Sequence, residues 1–305
     1  MPCYFPITGY RTALGAVTFS RSRGFSDRMV TVPCGRCSGC RLERSKQWAT
    51  RLVHESKCHD VNSFVTLTYS DKFLPEDESI SVREMQLFMK RLRKALKNVK
   101  VRFYCVGEYG ELFARPHYHL LLFGVGFPDR QLIKVTQSGE RLYRSATLEK
   151  VWTYKGEDEP IGHASIGSVT WQSAAYCARY VMKKINGNMQ EAHYEHTTRY
   201  GEVVQRVPEF STMSRNPGIG HAWFDRFNSD VFPSDHVVVN GKELKPPRYY
   251  DRCYEVICSP EELEMLKRKR IRRARKFREN CTPERLEVRR IVQEKRLETL
   301  KRRLG

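Results

Sequence analysis

The stretch Arg115-Pro116-His117-Tyr118-His119-Leu120-Leu121-Leu122-Phe123-Gly124 constrains this chain more than any other. Four apolar residues bounded by proline and glycine fit a buried β-strand and are too few for a core helix. Side chains alternate across a strand, so His117 and His119 share one face while Tyr118 takes the other. Two imidazoles aimed at one point are what a metal ion needs. In a chain with nine histidines, a His-x-His pair is also an ordinary exposed strand end. What else points at the pair decides between the two.

The neighbouring segments supply a sheet. Residues 64–69, Phe-Val-Thr-Leu-Thr-Tyr, are apolar on both faces apart from threonine and read as a central strand. Residues 101–108 form another strand, and the short connection 109–114 predicts an antiparallel hairpin with the histidine strand. Glu108 then lies close to both histidines as a third donor. Glu111 in the turn is the alternative, and either is otherwise a plain surface carboxylate. Ser81-Val82-Arg83-Glu84 has the form of a capping box opening a helix to about Lys97, with Val82, Met85, Phe88, Met89, Leu92 and Leu96 expected buried and Lys90, Arg91, Arg93, Lys94 and Lys97 outside. Strand, helix and hairpin together predict an α+β fold, a central antiparallel sheet flanked by helices.

Residues 125–167 read as a loop-rich insertion with a short helix at 145–152 and a strand near 163–169. Thr170 to Ser173 cap a helix that extends through Lys183 and Lys184 to Gly187. Tyr176 and Tyr180 on it are four apart and share a face, as packing tyrosines also do. Residues 188–260 show few periodic signals. They contain the turn-rich stretch 211–220 with Arg215 and the basic-aromatic loop 245–250 with Arg248.

Near the start, Cys34-Gly35-Arg36-Cys37-Ser38-Gly39-Cys40 gives two overlapping C-x-x-C units, one thiolate short of a closed zinc site. Cys3 is the first choice for the fourth ligand, with Cys58, His54 and His59 behind it. Reduced thiols at a helix start are the plainer reading. Residues 1–33 read as an irregular leader or a hairpin, and residues 41–58 as a basic amphipathic helix. The formal charge of +19 argues for a polyanion, most simply nucleic acid. Nearly half of that excess, 17 Lys/Arg against 8 Asp/Glu or +9, falls from Glu261 onwards in two basic helices. No apolar run approaches a membrane span, so no membrane partner is expected. The organisation expected is 1–60 with the cysteine cluster and basic helix, a core at 61–190, accessory loops at 191–260 and a basic tail at 261–305.

Five motifs combine into a more specific resemblance: residues 64–69, Gly107-Glu108-Tyr109-Gly110, Arg115 to His119, Ala175 to Lys184 and Met213 to Gly220. Together they resemble the replication initiation proteins of gokushovirus-like Microviridae phages, members of the HUH endonuclease superfamily. The opening Met1-Pro2-Cys3 and the cysteine cluster do so too. The likeness runs to about Tyr250 and covers the tail poorly. It implies an HUH fold with an RRM-like sheet, and a divalent cation, Mg²⁺ or Mn²⁺, held by His117, His119 and Glu108. It further implies Tyr176 and Tyr180 as nucleophiles, supported by Lys183 and Lys184. Arg115, Arg179, Arg215 and Arg248 are expected on DNA. The activity implied is nicking of one strand at the phage origin through a 5′-phosphotyrosine link, followed by rejoining that releases circular single-stranded DNA. The partners are origin or single-stranded DNA and the host helicase and polymerase, in the host bacterial cytoplasm. A relaxase or transposase of the same superfamily and a non-catalytic zinc-containing nucleic-acid-binding protein are the alternatives.

Overall fold

The computed structural model describes residues 3–110, 113–137, 139–179 and 190–298. The chain divides into two units, one formed by residues 1–44 with 257–305 and the other by residues 45–256. In the first, β1 (Ile7–Arg11) pairs antiparallel with both β2 (Val17–Thr18) and β3 (Met29–Val32), so the expected hairpin is a three-stranded sheet. It has almost no interior: within residues 3–37 only Cys3 and Gly9 are buried. Helix α1 (Ser38–Ser56) starts directly after Cys37.

The second unit is built on a seven-stranded sheet. It takes in β4 (Asn62–Thr68), the helix α2 (Val82–Ala95), then the hairpin of β5 (Arg102–Tyr109) and β6 (Pro116–Phe123). Burial along β4 alternates strictly, with Ser63, Val65 and Leu67 buried on one face and Phe64, Thr66 and Thr68 half-buried on the other. The hairpin is antiparallel, and β4 pairs with β6 on its other side, which makes residues 64–69 as central as their composition predicted. Ser81 caps α2 by accepting the Glu84 amide. The reciprocal half of the expected box is absent: Glu84 turns its carboxylate to Arg91 at 3.0 Å and Tyr154 at 3.4 Å, pinning α2 to the segment beyond α3.

The stretch expected to be loop-rich carries more sheet than its pattern suggested. β7 (Gln131–Val135), β8 (Arg141–Arg144), the short helix α3 (Ala146–Val151) and β9 (Ala164–Gly167) follow, and the strands continue the sheet outward from β4. Every residue of β7 is exposed, so no burial periodicity marks it. α4 (Trp171–Arg179), α5 (Gln190–Tyr194) and the two-stranded pair β10 (Glu195–Thr197) and β11 (Val203–Gln205) come next. β12 (Phe210–Met213) then returns to pair with β5 and closes the far edge, giving the order β12-β5-β6-β4-β9-β8-β7. Part of the turn-rich stretch 211–220 is therefore strand.

Beyond it lie α6 (His221–Val231) and the hairpin of β13 (Val237–Val239) and β14 (Lys242–Leu244). Asn240 and Gly241 both take positive φ in its turn, the conformation that lets a two-residue loop match strand twist. α7 (Arg248–Ile257) begins inside the expected basic-aromatic loop, so Arg248 is a helix-start residue. In the first unit, α8 (Pro260–Arg275) and α9 (Pro283–Glu298) are the two basic helices expected of the tail.

Both faces of the main sheet are covered. Val65, Leu67, Cys105, Tyr118, Leu120 and Leu122 pack with α2 and α3 residues such as Phe88, Leu92 and Leu148. On the other face Tyr104, Val106, Leu121 and Phe123 meet Ala49 and Leu52 of α1 and Ala174, Cys177 and Ala178 of α4. Small side chains on α4 let that helix approach the strands closely. No helix among the described residues is long and apolar enough to cross a membrane.

Candidate metal and nucleophile site

The hairpin register sets Glu108 directly opposite His117, and β4 sets Thr66 directly opposite His119. Alternation then brings Glu108, His117 and His119 to the face that α4 covers. Oε1 of Glu108 lies 2.9 Å from Nε2 of His117 and 2.9 Å from Nε2 of His119. Glu108 is 1 % exposed and His119 6 %, while His117 is half-buried. The hairpin thus assembles all three expected donors. Glu111, the alternative third donor, lies outside the described residues, as do Tyr180, Lys183 and Lys184.

The imidazoles are fixed from behind. Nδ1 of His117 lies 3.1 Å from the Arg115 carbonyl, which only accepts, so this nitrogen carries the proton. Nδ1 of His119 lies 3.0 Å from the Thr66 hydroxyl, and Phe64 stacks on the ring at 5.5 Å and 7°. With Nδ1 protonated, the neutral His117 ring turns an Nε2 lone pair on the Glu108 carboxylate, and His119 does the same where Thr66 accepts from its Nδ1. Lone pairs facing a carboxylate at 2.9 Å repel unless positive charge sits among them, supplied by protons or a cation.

A divalent cation fits that demand. The three ligand atoms lie within 4.8 Å of one another. Their 2.9 Å spacings match the ~3 Å between adjacent ligands of an octahedral ion with bonds near ~2.1 Å. Burial alone would raise the Glu108 pKa, but where protons rather than a metal fill the gap, hydrogen bonds from His117 and His119 outweigh burial and hold the carboxyl at about 2.

Tyr176 completes the arrangement. From the half-buried face of α4 its hydroxyl donates to Glu108 Oε1 at 3.4 Å and lies 3.4 Å from His119 Nε2, with its ring edge-on to His119 at 5.0 Å and 84°. A phenol held against a buried two-nitrogen, one-oxygen donor set can deliver its oxygen to whatever those donors bind. Sequence reasoning missed Thr66 and Phe64. They read as a threonine interruption and a core aromatic, and only the β4–β6 register shows both addressing His119.

The expected DNA-contacting arginines differ among themselves. Arg115 donates to Asp71 at 2.6 Å and to the Tyr69 carbonyl at 2.9 Å, tying the start of β6 to the end of β4. Arg179, Arg215 and Arg248 are exposed. In the other unit the expected fourth cysteine is in place, since Cys3, Cys34, Cys37 and Cys40 gather their sulfurs within 4.8 Å. Cys58, His54 and His59 are elsewhere. His54 is buried against Trp223 and Tyr250, and His59 pairs with Glu55. Burial works against ionising the Cys37 thiol, but the Tyr4 and Cys40 amides donate to it and bring it to about 7, while burial pushes Cys40 up.

Comparison with known proteins gives the family. A family model described as replication-associated protein ORF2/G2P matches residues 62–185, the span from β4 to beyond α4. Replication-associated protein VP4 of Bdellovibrio phage phiMH2K is 34 % identical over 266 residues, covering 84 % of this chain and 78 % of the relative. Replication-associated protein ORF2 of Spiroplasma virus 4 is 32 % identical over 237 residues, 74 % of this chain and 68 % of that one. Replication-associated protein ORF4 of Chlamydia phage 1 is 27 % identical over 226 residues, 72 % of this chain and 52 % of the relative. No solved structure matches. With the antiparallel sheet flanked by helices that the motifs led one to expect, the chain belongs to the replication-associated protein ORF2/G2P family of these Microviridae phages.

Proposed function

We propose that the protein is a metal-dependent endonuclease and strand transferase that initiates rolling-circle replication of a phage genome. The observation that carries this reading is the Tyr176 hydroxyl lying 3.4 Å from both Glu108 and His119. A divalent cation, Mg²⁺ or Mn²⁺, held by His117, His119 and Glu108 would supply Lewis acidity and orient the scissile phosphate. Nitrogen donors favour Mn²⁺ in affinity, and Mg²⁺ is the harder ion that such sites meet more often.

Tyr176 Oη attacks phosphorus. The phenol gives up its proton as the O–P bond forms, and the P–O3′ bond breaks with its electron pair passing to O3′, which takes up a proton. The products are a 5′-phosphotyrosine and a free 3′-OH that primes synthesis. Phosphodiester energy is kept in the link, so rejoining needs no nucleotide. Tyr176 makes the first cut and Tyr180, four residues on, serves the second that releases the circle. Lys183 and Lys184 stabilise phenolate and phosphate charge in this scheme. Exposed Arg179, Arg215 and Arg248 hold the DNA backbone, while Arg115, its charge shared with Asp71, chiefly sets β6. DNA is the partner the charge favours, with host helicase and polymerase acting downstream inside the host cell.

The test is cleavage of a single-stranded origin oligonucleotide with Mn²⁺, read as a denaturant-resistant protein–DNA adduct. Wild type forms the adduct, Tyr176→Phe loses the first cut, Tyr180→Phe keeps it, and the double variant forms none. Adduct formation by the double variant refutes the tyrosine mechanism.

A further inference from the structure

Four sulfurs meet in a unit whose described residues bury few apolar side chains. Sγ atoms of Cys3, Cys34, Cys37 and Cys40 lie within 4.8 Å of one another, and Cys37 Sγ is 4.0 Å from Cys3 Sγ. That separation is close to the ~3.8 Å edge of a sulfur tetrahedron with bonds of about 2.3 Å. Backbone amides point at the sulfurs: Cys34 donates to Cys3 at 3.2 Å, Tyr4 to Cys37 at 3.4 Å and Cys37 to Cys34 at 3.4 Å. Donors so placed stabilise thiolates over thiols. Gly35, between the first two cysteines of the cluster, turns the chain at φ +76°, where other residues are strained.

The surroundings give this cluster its weight. Among described residues of the unit formed by 1–44 and 257–305, only Cys3, Gly9, Gly39, Leu266 and Leu286 are buried. Apolar side chains that would make a core are outside: Phe19 is 60 % exposed, Met29 64 % and Ile271 54 %. A three-stranded sheet with one buried glycine does not bury enough surface to offset the entropy of ordering its chain. Something other than packing must hold residues 4–33 in place.

We infer that Cys3, Cys34, Cys37 and Cys40 bind one structural Zn²⁺, and that this ion replaces the missing hydrophobic core of the unit. It joins Cys3 to the turn that opens α1 and so closes the loop carrying β1, β2 and β3. Four sulfur ligands fill a tetrahedral shell and leave no position for substrate, so the role is structural. Each thiol that ligates releases its proton to solvent, and binding is coupled to ordering of the loop. Soft sulfur selects zinc, whereas the nitrogen and oxygen donors of the main sheet suit a harder ion, so the two sites sort their metals by donor type.

The experiment uses the whole chain, purified under reducing conditions. Titration with a mercurial reagent should release one zinc per chain. Replacement by Co²⁺ should give the sulfur-to-metal charge-transfer bands of a tetrathiolate, and these should persist in His117→Ala/His119→Ala protein and vanish in Cys34→Ser/Cys37→Ser. Chelation should expose residues 4–33 to protease while residues 45–256 stay protected, which also separates loss of the metal from general unfolding. Folded protein with four reactive reduced thiols and no cobalt–thiolate bands overturns the site. Zinc content unchanged in Cys34→Ser/Cys37→Ser overturns it equally, and zinc removal that leaves residues 4–33 as protected as before overturns the core-replacing role.

Discussion

Replacing Thr66 by valine removes one hydroxyl and keeps the shape of the β4 side chain. That hydroxyl, 3.0 Å from His119 Nδ1, can accept a proton held there and so favours the tautomer that leaves Nε2 free to ligate. Valine lets the neutral ring relax toward the tautomer protonated on Nε2, which cannot bind metal. Loss of such outer contacts costs about 10- to 100-fold in metal affinity. The structure places Thr66→Val near the lower end, because Phe64 stacked at 5.5 Å and 7° and the β4–β6 ladder still hold the ring plane. About tenfold, or ~1.4 kcal/mol, is therefore expected. Mn²⁺ binding measured by calorimetry on wild type and variant reads this directly. Thr68→Val is the control: Thr68 stands opposite His117, but its hydroxyl bonds the His163 backbone at 3.3 Å, and metal affinity should not change. A Thr66→Val protein that binds Mn²⁺ within twofold of wild type would refute the role given to the hydroxyl. So would an equal loss in Thr68→Val.

Other outcomes follow from the same geometry. Glu55 accepts from Arg102, from His59 at 3.3 Å and from the Gly220 amide at 2.6 Å; burial raises its pKa, but these donors outweigh burial and hold it at about 2. Its contribution is complete above the unfolded value near ~4.3 and is lost as pH falls toward 2, about 3 kcal/mol in all. Glu55→Gln should remove ~3 kcal/mol at pH 7, by taking the counter-charge from buried Arg102, which keeps only the Pro217 and Gly218 carbonyls, and flatten that acid limb. Urea unfolding followed by tryptophan fluorescence tests this, since Trp48, Trp152, Trp171 and Trp223 all lie within 45–256. Gly162→Ala sets a Cβ 2.2 Å from the Thr68 carbonyl and 2.7 Å from the Ser70 amide, both backbone. It should cost ~2 kcal/mol or more in the same measurement. Single-strand affinity should fall at least tenfold from about 50 to 200 mM salt, and Arg179→Ala/Arg215→Ala/Arg248→Ala should flatten that slope in a titration series.

The site was legible in sequence where its parts are local. His-x-His alternation, the short connection to Glu108 and the cap at Ser81 all act within a few residues, and the structure keeps each. Fold features set by distant pairing were not. β7 is exposed along its whole length, and β12 is four residues beside a turn-rich stretch, so neither carries a period that marks a strand. The Asn240–Gly241 turn is a local hairpin signal inside a stretch whose strands are only three residues long, too short to show alternation. Thr66 gains its meaning only from facing His119 across two strands. Glu84 fits a capping box by spacing, yet Arg91 and Tyr154 compete for its carboxylate once α2 packs.

The donors stand on two adjacent strands, each hydrogen-bonded to neighbours on both sides, whereas Tyr176 rides on a helix that meets the sheet through side chains alone. The anvil and the hammer of the site are thus mounted on separate frames. On the mechanism proposed above, a DNA end bonded to Tyr176 is carried on α4 while the donors keep their places on the strands.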